Sequence, residues 1–297
     1  MPIPNALHLL TPLLCLCVSS DLEQKQFSDW RWGQIAKSLK LSDSPDMHTK
    51  ANPLPITPMA MDARLTRIVD HIVERLRSER TVLPSLRVTN EAVASEYVSA
   101  VLTAICLYFL PDHPITKTPQ QDLSGTYGRG PIDFVLQVDE VAVCVTEVKR
   151  YGTLEQGLAQ NIAQLDAALS QAKRKRKREA ESDDPAHPVF SIGIVSDALS
   201  WCVLQMSVQA DGDTLVCMAD LPSLPLNDAC DRPVCIIEEC ITQPTSEPAA
   251  AAAASSLSPD YLRAHLEQLI THLLPPIKQC IEQREQATKR RKIEERK

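Results

Sequence analysis

Net positive charge is absent. The chain carries 31 Lys and Arg against 38 Asp and Glu, a formal charge of -7, so it is not a globally basic nucleic-acid binder. Any electropositive footprint must be local. Aromatic residues are few, at 4%, which leaves aliphatic side chains to build the core. Glycine is scarce, with 8 residues, yet Gly125, Gly128, Gly130, Gly152 and Gly157 all fall around one stretch in the middle. No P-loop, G-x-S-x-G, H-E-x-x-H or internal repeat is visible. Walker-type nucleotide hydrolysis, the nucleophile elbow and zinc proteolysis are thereby set aside. The 10 cysteines are scattered, and Cys106, Cys144 and Cys202 read as small buried apolar groups in a reducing interior. Cys230, Cys235 and Cys240 have no histidine nearby and do not suit zinc.

What is present centres on Gly128 to Gln164, GRGPIDFVLQVDEVAVCVTEVKRYGTLEQGLAQNIAQ. Asp133 heads one apolar run. A polar break at Asp139-Glu140 leads to a second run, which ends in Glu147-Val148-Lys149. The two runs read as a hairpin, followed by a helix from Leu154 to Gln171 with Leu158, Ile162, Leu165 and Leu169 inward. Strand alternation puts Glu147 and Lys149 on one face and Val148 on the other. Asp133 joins that face if it opposes Glu147. That arrangement requires either an odd loop, Asp139-Glu140-Val141, or a β-bulge, because a one-residue slip turns every side chain over. Gln160 and Gln164 share one face of the following helix.

Two acids, a lysine and a polar helix face suit metal-dependent phosphodiester cleavage. A hard cation such as Mg²⁺ takes oxygen ligands and keeps several waters, so one or two carboxylates suffice. Such an ion stabilises charge on phosphoryl oxygens and lowers the pKa of a bound water. A nearby lysine orients that water or offsets developing charge.

In these residues the sequence resembles the PD-(D/E)XK nuclease superfamily. Asp133 stands where the family's first acid stands, and Glu147-Val148-Lys149 matches its E-x-K element. Gly193 to Trp201, GIVSDALSW, looks like the G-x-x-[ST]-[DN]-x-x-x-W strand pair of a subset of these nucleases. The chain is also similar to nuclease-like domains of Crinkler-type effector proteins and related fungal and oomycete proteins. The likeness covers Asn90 to Met206. Ile132 departs from the family's proline before the acid, with Pro131 one place earlier.

The resemblance implies an α/β, restriction-endonuclease-like core, a central mixed sheet flanked by helices. It implies a Mg²⁺ or Mn²⁺ ion held by Asp133, Glu147, the backbone carbonyl of Val148 and an acid from the preceding helix, Glu96 with Glu91 in reserve. Lys149 would serve the attacking water, and Gln160 and Gln164 would support the site or the nucleic acid. The expected function is Mg²⁺-dependent hydrolysis of DNA. The alternative is a non-catalytic, effector-like interaction module that binds nuclear protein or nucleic acid.

The nuclease-like domain is expected over 61–225. An irregular N-terminal segment and linker (1–60) precede it, and a low-complexity linker (226–257) and an amphipathic helix with a basic tail (258–297) follow. Ala6 to Val18 is too short for a membrane span; it reads as a signal-peptide core or a loosely packed segment. Ser42 to Met59, rich in Pro and Ser, reads as linker. Helices are expected over Met61 to Arg80 and, with Asn90 as cap, from Glu91 to about Leu110. The run Lys173 to Arg178, KRKRKR, reads as a solvated loop that serves nuclear import or contacts phosphate, or as a merely solvated insertion. Phe190 to Val195 and Ser200 to Val208 extend the sheet, and Thr214 to Met218 and Val234 to Ile237 add edge strands. Pro259 opens the last helix, which Pro275-Pro276 is expected to interrupt. Expected partners are nucleic acid, chiefly DNA, and an import receptor bound through Lys173–Arg178 and Lys289–Lys292. The nucleus is the expected location, with no membrane contact.

Overall fold

The aliphatic runs become a sheet whose strands lie in chain order: β1 (Ile115–Gly125), β2 (Gly128–Val138), β3 (Val141–Val148), β4 (Phe190–Ser196), β5 (Trp201–Val208) and β6 (Thr214–Leu221). The computed structural model describes residues 25–84, 86, 90–179, 190–209, 213–226 and 259–294. Among them the helices are α1 (Trp32–Leu39), α2 (Pro45–Ala51), α3 (Ala63–Val82), α4 (Glu91–Phe109), α5 (Leu154–Glu179) and α6 (Pro259–Glu294). Neighbouring strands are antiparallel except β3 and β4, which run parallel. A parallel step needs a crossover rather than a tight turn, and α5 lies in that connection. The fold is α/β, a six-stranded mixed sheet flanked by helices.

Each face of the sheet has its own core. On one face Val69, Ile72, Val101, Ile105, Leu269 and Leu273 from α3, α4 and α6 cover Cys144, Val148, Ile192 and Ile194. On the other, Ile162 and Leu165 of α5 cover Val135, Val145 and Leu204. Each fully buried aliphatic side chain contributes roughly 1.5–3 kcal/mol of transfer free energy.

The hairpin explains how Asp133 comes to face Glu147. The turn holds two residues, Asp139 and Glu140, with φ of 49° and 62°. This left-handed pair suits a tight hairpin, so of the two expected alternatives the odd loop does not form. The ladder starts at Val138↔Val141 and Gln137↔Ala142, then shifts to Leu136↔Cys144 and Phe134↔Thr146. Val143 is the extra residue of a β-bulge. The bulge restores the parity that the short turn removes, and the next pair in this register is Asp133 and Glu147.

Four expectations are corrected. Residues 25–59 are not an irregular appendage. Phe27, Trp32 and Ile35 are buried in the α5-side core. The supposed linker from Ser42 to Met59 contains α2. Ser44 caps it by accepting from the Met47 N–H at 3.3 Å, and Pro45 occupies its first turn. The chain then runs along β6, with Leu54 N–H donating to Met218 O at 2.8 Å. Serine and proline are cap signals here, not linker signals.

Nor does Pro275-Pro276 break the last helix, which runs unbroken from Pro259 to Glu294. Proline at 275 deprives the Thr271 carbonyl of its helical donor. The Met59 N–H donates to that carbonyl at 2.9 Å. Leu266, Leu269, Ile270, Leu273, Leu274, Ile277 and Ile281 are fully buried, so α6 completes the core rather than trailing it.

The basic run is not a loop either, since it continues α5 to Glu179. Arg174 Nη2 donates to Ser124 O at 2.9 Å and Lys175 Nζ to Asp139 O at 2.6 Å, tying this end to the sheet. Cations in a last helical turn also suit the helix dipole. Glu96, too, stands away from the metal-binding position expected of it. Ala6 to Val18, Cys230, Cys235, Cys240 and the strand expected over Val234 to Ile237 lie outside the described residues.

Candidate functional site

The β2–β3 ladder reaches Phe134↔Thr146. Beyond it, the Asp133 carboxylate accepts from the Val148 N–H, Oδ2 to N at 2.7 Å. Its other oxygen, Oδ1, accepts from Gln120 Nε2 at 3.1 Å. Gln120 sits in mid-strand with φ 49°, a left-handed conformation that costs a residue with a Cβ of order 1–3 kcal/mol. That kink turns its amide toward Asp133.

Glu147 is held from two sides. Lys149 Nζ lies 2.5 Å from its Oε1, and Gln164 Nε2 donates to its Oε2 at 2.5 Å. Lys149 Nζ also lies 3.5 Å from Glu91 Oε1, in the first turn of α4. The Lys149 N–H bonds Ser196 O of β4 at 2.9 Å. The cluster therefore draws on β1, β2, β3, α4 and α5. Glu147 and Lys149 are 5% and 6% exposed, whereas the Glu91 side chain is 51% exposed and Asp133 is half-buried. Solvent reaches the cluster from the Asp133 and Glu91 side.

Helix α5 supports it from below. Asn161, fully buried, donates to Val145 O and to Gln164 Oε1, each at 3.2 Å. Space for this amide comes from Gly193 of β4, where a Cβ would collide with Asn161 Oδ1. Gly157 likewise leaves room for Val195 and the Lys149 stem, from which a Cβ would stand 2.6 and 2.8 Å.

Charge in this pocket is tightly coupled. Burial pushes the Glu147 carboxyl up to about 7 against the pull of the Lys149 ammonium, and the negative Asp133 raises it further. Burial works to lower Lys149, but Glu147 first, then Glu91 and Asp133, outweigh it and hold the ammonium above its ordinary value.

Asp133, Glu147, Lys149 and Gln164 thus come together as the sequence suggests. Gln160 is buried beside them on α5, with its Oε1 unpaired. Val148 keeps its side chain in the opposite core while its backbone N–H serves Asp133. Glu96 does not join: it is exposed, and its charge acts on Lys117 rather than on the cluster. Glu91, the reserve candidate, is the acid that α4 brings. It sits one residue after the Asn90 cap, so the first turn of α4 rather than its middle approaches β3. Sequence reasoning missed Gln120, whose only signal is its strained backbone, and the positioning roles of Asn161 and Gly193.

A hard cation fits the donor types here. Asp133 and Glu147 offer carboxylate oxygens and Val148 a carbonyl, and Mg²⁺ needs no more protein ligands than these. Among the described residues no group of three or more His, Cys, Asp and Glu side chains forms a ready ligand set. The Lys149 ammonium pairs with Glu147 and Glu91.

No family model matches the chain. It is 29% identical over 217 residues to Crinkler effector protein 1 of Rhizophagus irregularis, a match that covers 72% of this chain and 42% of that protein. The chain is therefore Crinkler-like across most of its length and spans about two fifths of the length of the curated relative it matches.

Proposed function

We propose that the chain is a Mg²⁺- or Mn²⁺-dependent nuclease of the PD-(D/E)XK type that hydrolyses DNA phosphodiesters, its sheet being a restriction-endonuclease-like core. The convergence of Asp133, Glu147 and Lys149 at the end of a bulged β-ribbon carries this reading. Asp133, Glu147 and the Val148 carbonyl would hold the ion. When bound, it would supply charge stabilisation for the phosphoryl oxygens and acidify a water. The Val148 N–H and Gln120 hold the Asp133 carboxylate in place. Gln164 keeps one Glu147 oxygen an acceptor. Lys149, once freed from Glu147, has its ammonium beside the acids, where it can orient a water or offset charge on the phosphate. Purified protein incubated with plasmid and Mg²⁺ tests this beside Glu147→Ala and Lys149→Ala. Cleavage by the native chain alone supports the proposal. Equal cleavage by all three, or none by any, overturns it.

A second reading is a non-catalytic interaction module for nuclear protein or nucleic acid. The near-complete burial of the Glu147–Lys149 pair favours it, since the two charges already satisfy each other. The matched relative is described as an effector. Calorimetry separates the readings: Mg²⁺ or Mn²⁺ uptake that is lost in Asp133→Asn supports the nuclease, and no uptake supports the module. Import through the basic cluster at Lys289–Lys292, with a nuclear location, fits the exposure of Lys289 on the last turns of α6.

A further inference from the structure

A cleft of about 570 Å³ opens between the β1–β2 ribbon and the second half of α5. Gln121, Gln137 and Gln171 line it with Arg174, Lys175 and Glu140. Val141 is the one apolar residue in the lining. Such a wall offers amide hydrogen bonds and cationic charge, and no aromatic side chain lines it for a base to stack on.

The cations are fixed in place. Arg174 spends one hydrogen bond on the neutral carbonyl of Ser124, which does not offset its charge. Lys175 bonds the Asp139 carbonyl and lies 3.6 Å from Glu140, whose side chain is 92% exposed and whose hold is correspondingly weak. Lys173, next along the helix, is exposed. In a chain of net charge -7 this concentration of cations stands out.

The cleft is joined to the acid cluster. Gln120 bonds Asp133 while its neighbour Gln121 lines the cleft, and the left-handed kink at Gln120 divides the two. Asp133 and Gln137 are four residues apart on β2, about 13 Å along the strand. Gln164 and Arg174 are ten residues apart on α5, about 15 Å along its axis.

We propose that this cleft is a phosphate-backbone site that grips a nucleic-acid strand about 13–15 Å from the acid cluster. Cations and amides with no aromatic ring among them favour the backbone over the bases, so the site contributes affinity and register rather than sequence preference. The proposal rests on the nuclease reading for its substrate, but its test needs neither metal nor turnover.

Binding of a short fluorescein-labelled DNA duplex to the full chain is followed by anisotropy in EDTA, over a series of salt concentrations. For the native chain, the logarithm of affinity should fall linearly with the logarithm of salt. Arg174→Ala with Lys175→Ala should weaken binding by about tenfold and reduce the salt slope by about one for each phosphate no longer neutralised. Gln137→Glu, which leaves both cation anchors intact, should weaken it as well and serves if the double variant misfolds. Salt-dependent duplex binding by the native chain without cleavage in Mg²⁺ would sink the nuclease reading and leave this one standing, so the two failures are distinguishable. Native affinity and slope in both the folded double variant and Gln137→Glu overturn the proposal. So does an absence of duplex binding by the native chain, or competition by polyglutamate as effective as that by unlabelled DNA.

Discussion

Asn161 sets the direction of the Gln164 amide. Val145 O can only accept, so Asn161 must present its Nδ2 there, and the same Nδ2 meets Gln164 Oε1. Gln164 is then left with Nε2 facing Glu147. A backbone carbonyl thereby dictates, through two amides, that a donor faces the acid.

This orientation predicts the behaviour of Asn161→Leu. Gln164 loses its anchor, and the donor to Glu147 is no longer enforced. The Glu147 pKa should rise, seen as a shift to higher pH in the midpoint of metal uptake, whereas an unmoved midpoint contradicts the relay. Gly193→Ala should lower stability by about 1–3 kcal/mol by overpacking against Asn161. Asn161→Ala in the same chain should recover part of that loss, a non-additivity readable in urea melts.

Glu147 makes stability and metal affinity respond to pH in opposite directions. Its folded pKa, about 7, lies above the ordinary 4.5. The folded state therefore binds this proton more tightly than the unfolded chain. Its contribution to stability is full below the ordinary value and fades as pH rises through about 7. Metal uptake requires the carboxylate, so affinity should grow over that same rise with release of a proton. Calorimetry in buffers of different ionisation enthalpy would detect the proton. Glu147→Gln should abolish the pH dependence, and equal native affinity on both sides of neutrality contradicts the assignment.

Removing Lys149 should cost more stability than removing both charges. Lys149→Met strips the cation from a carboxyl already raised to about 7, so the loss should be greatest above neutral pH, reaching about 3–5 kcal/mol where Glu147 is forced to ionise. The double variant Glu147→Gln with Lys149→Met should recover most of it. Denaturant midpoints for the three chains measure this directly, and a double variant no more stable than Lys149→Met argues against coupling.

Of the two acids on α4, Glu91 should matter and Glu96 should not. Glu91→Gln removes one of the two carboxylates that Lys149 touches and should alter the affinity for Mg²⁺ several-fold. Glu96→Gln, exposed and turned toward Lys117, should leave uptake unchanged. The reverse pattern in calorimetry would restore the sequence-based assignment.

The local signals in the sequence are sound wherever period and register decide the outcome. Alternation places Glu147 and Lys149 together. The need for a bulge or an odd loop follows from parity alone, and the bulge is what forms at Val143. The choice between Glu91 and Glu96 is not available in this way. Helix α4 is apolar on most sides, so its pattern does not reveal which end meets β3. The Pro275-Pro276 step misleads because the donor that relieves it, Met59, lies more than 200 residues earlier in the chain. The basic run misleads because self-repulsion, taken alone, leaves out the helix ahead of it and the carbonyls of Ser124 and Asp139 that receive its cations.

Helix α6 bears on how this protein is made. Its buried face meets α3 and α4, and Arg263 pairs with Asp70, residues synthesised far earlier. During translation the part of the sheet and of α3 and α4 that α6 covers would therefore stand exposed until Ile281 has left the ribosome. That nascent intermediate exposes a broad aliphatic surface and should engage chaperones until the closing helix arrives.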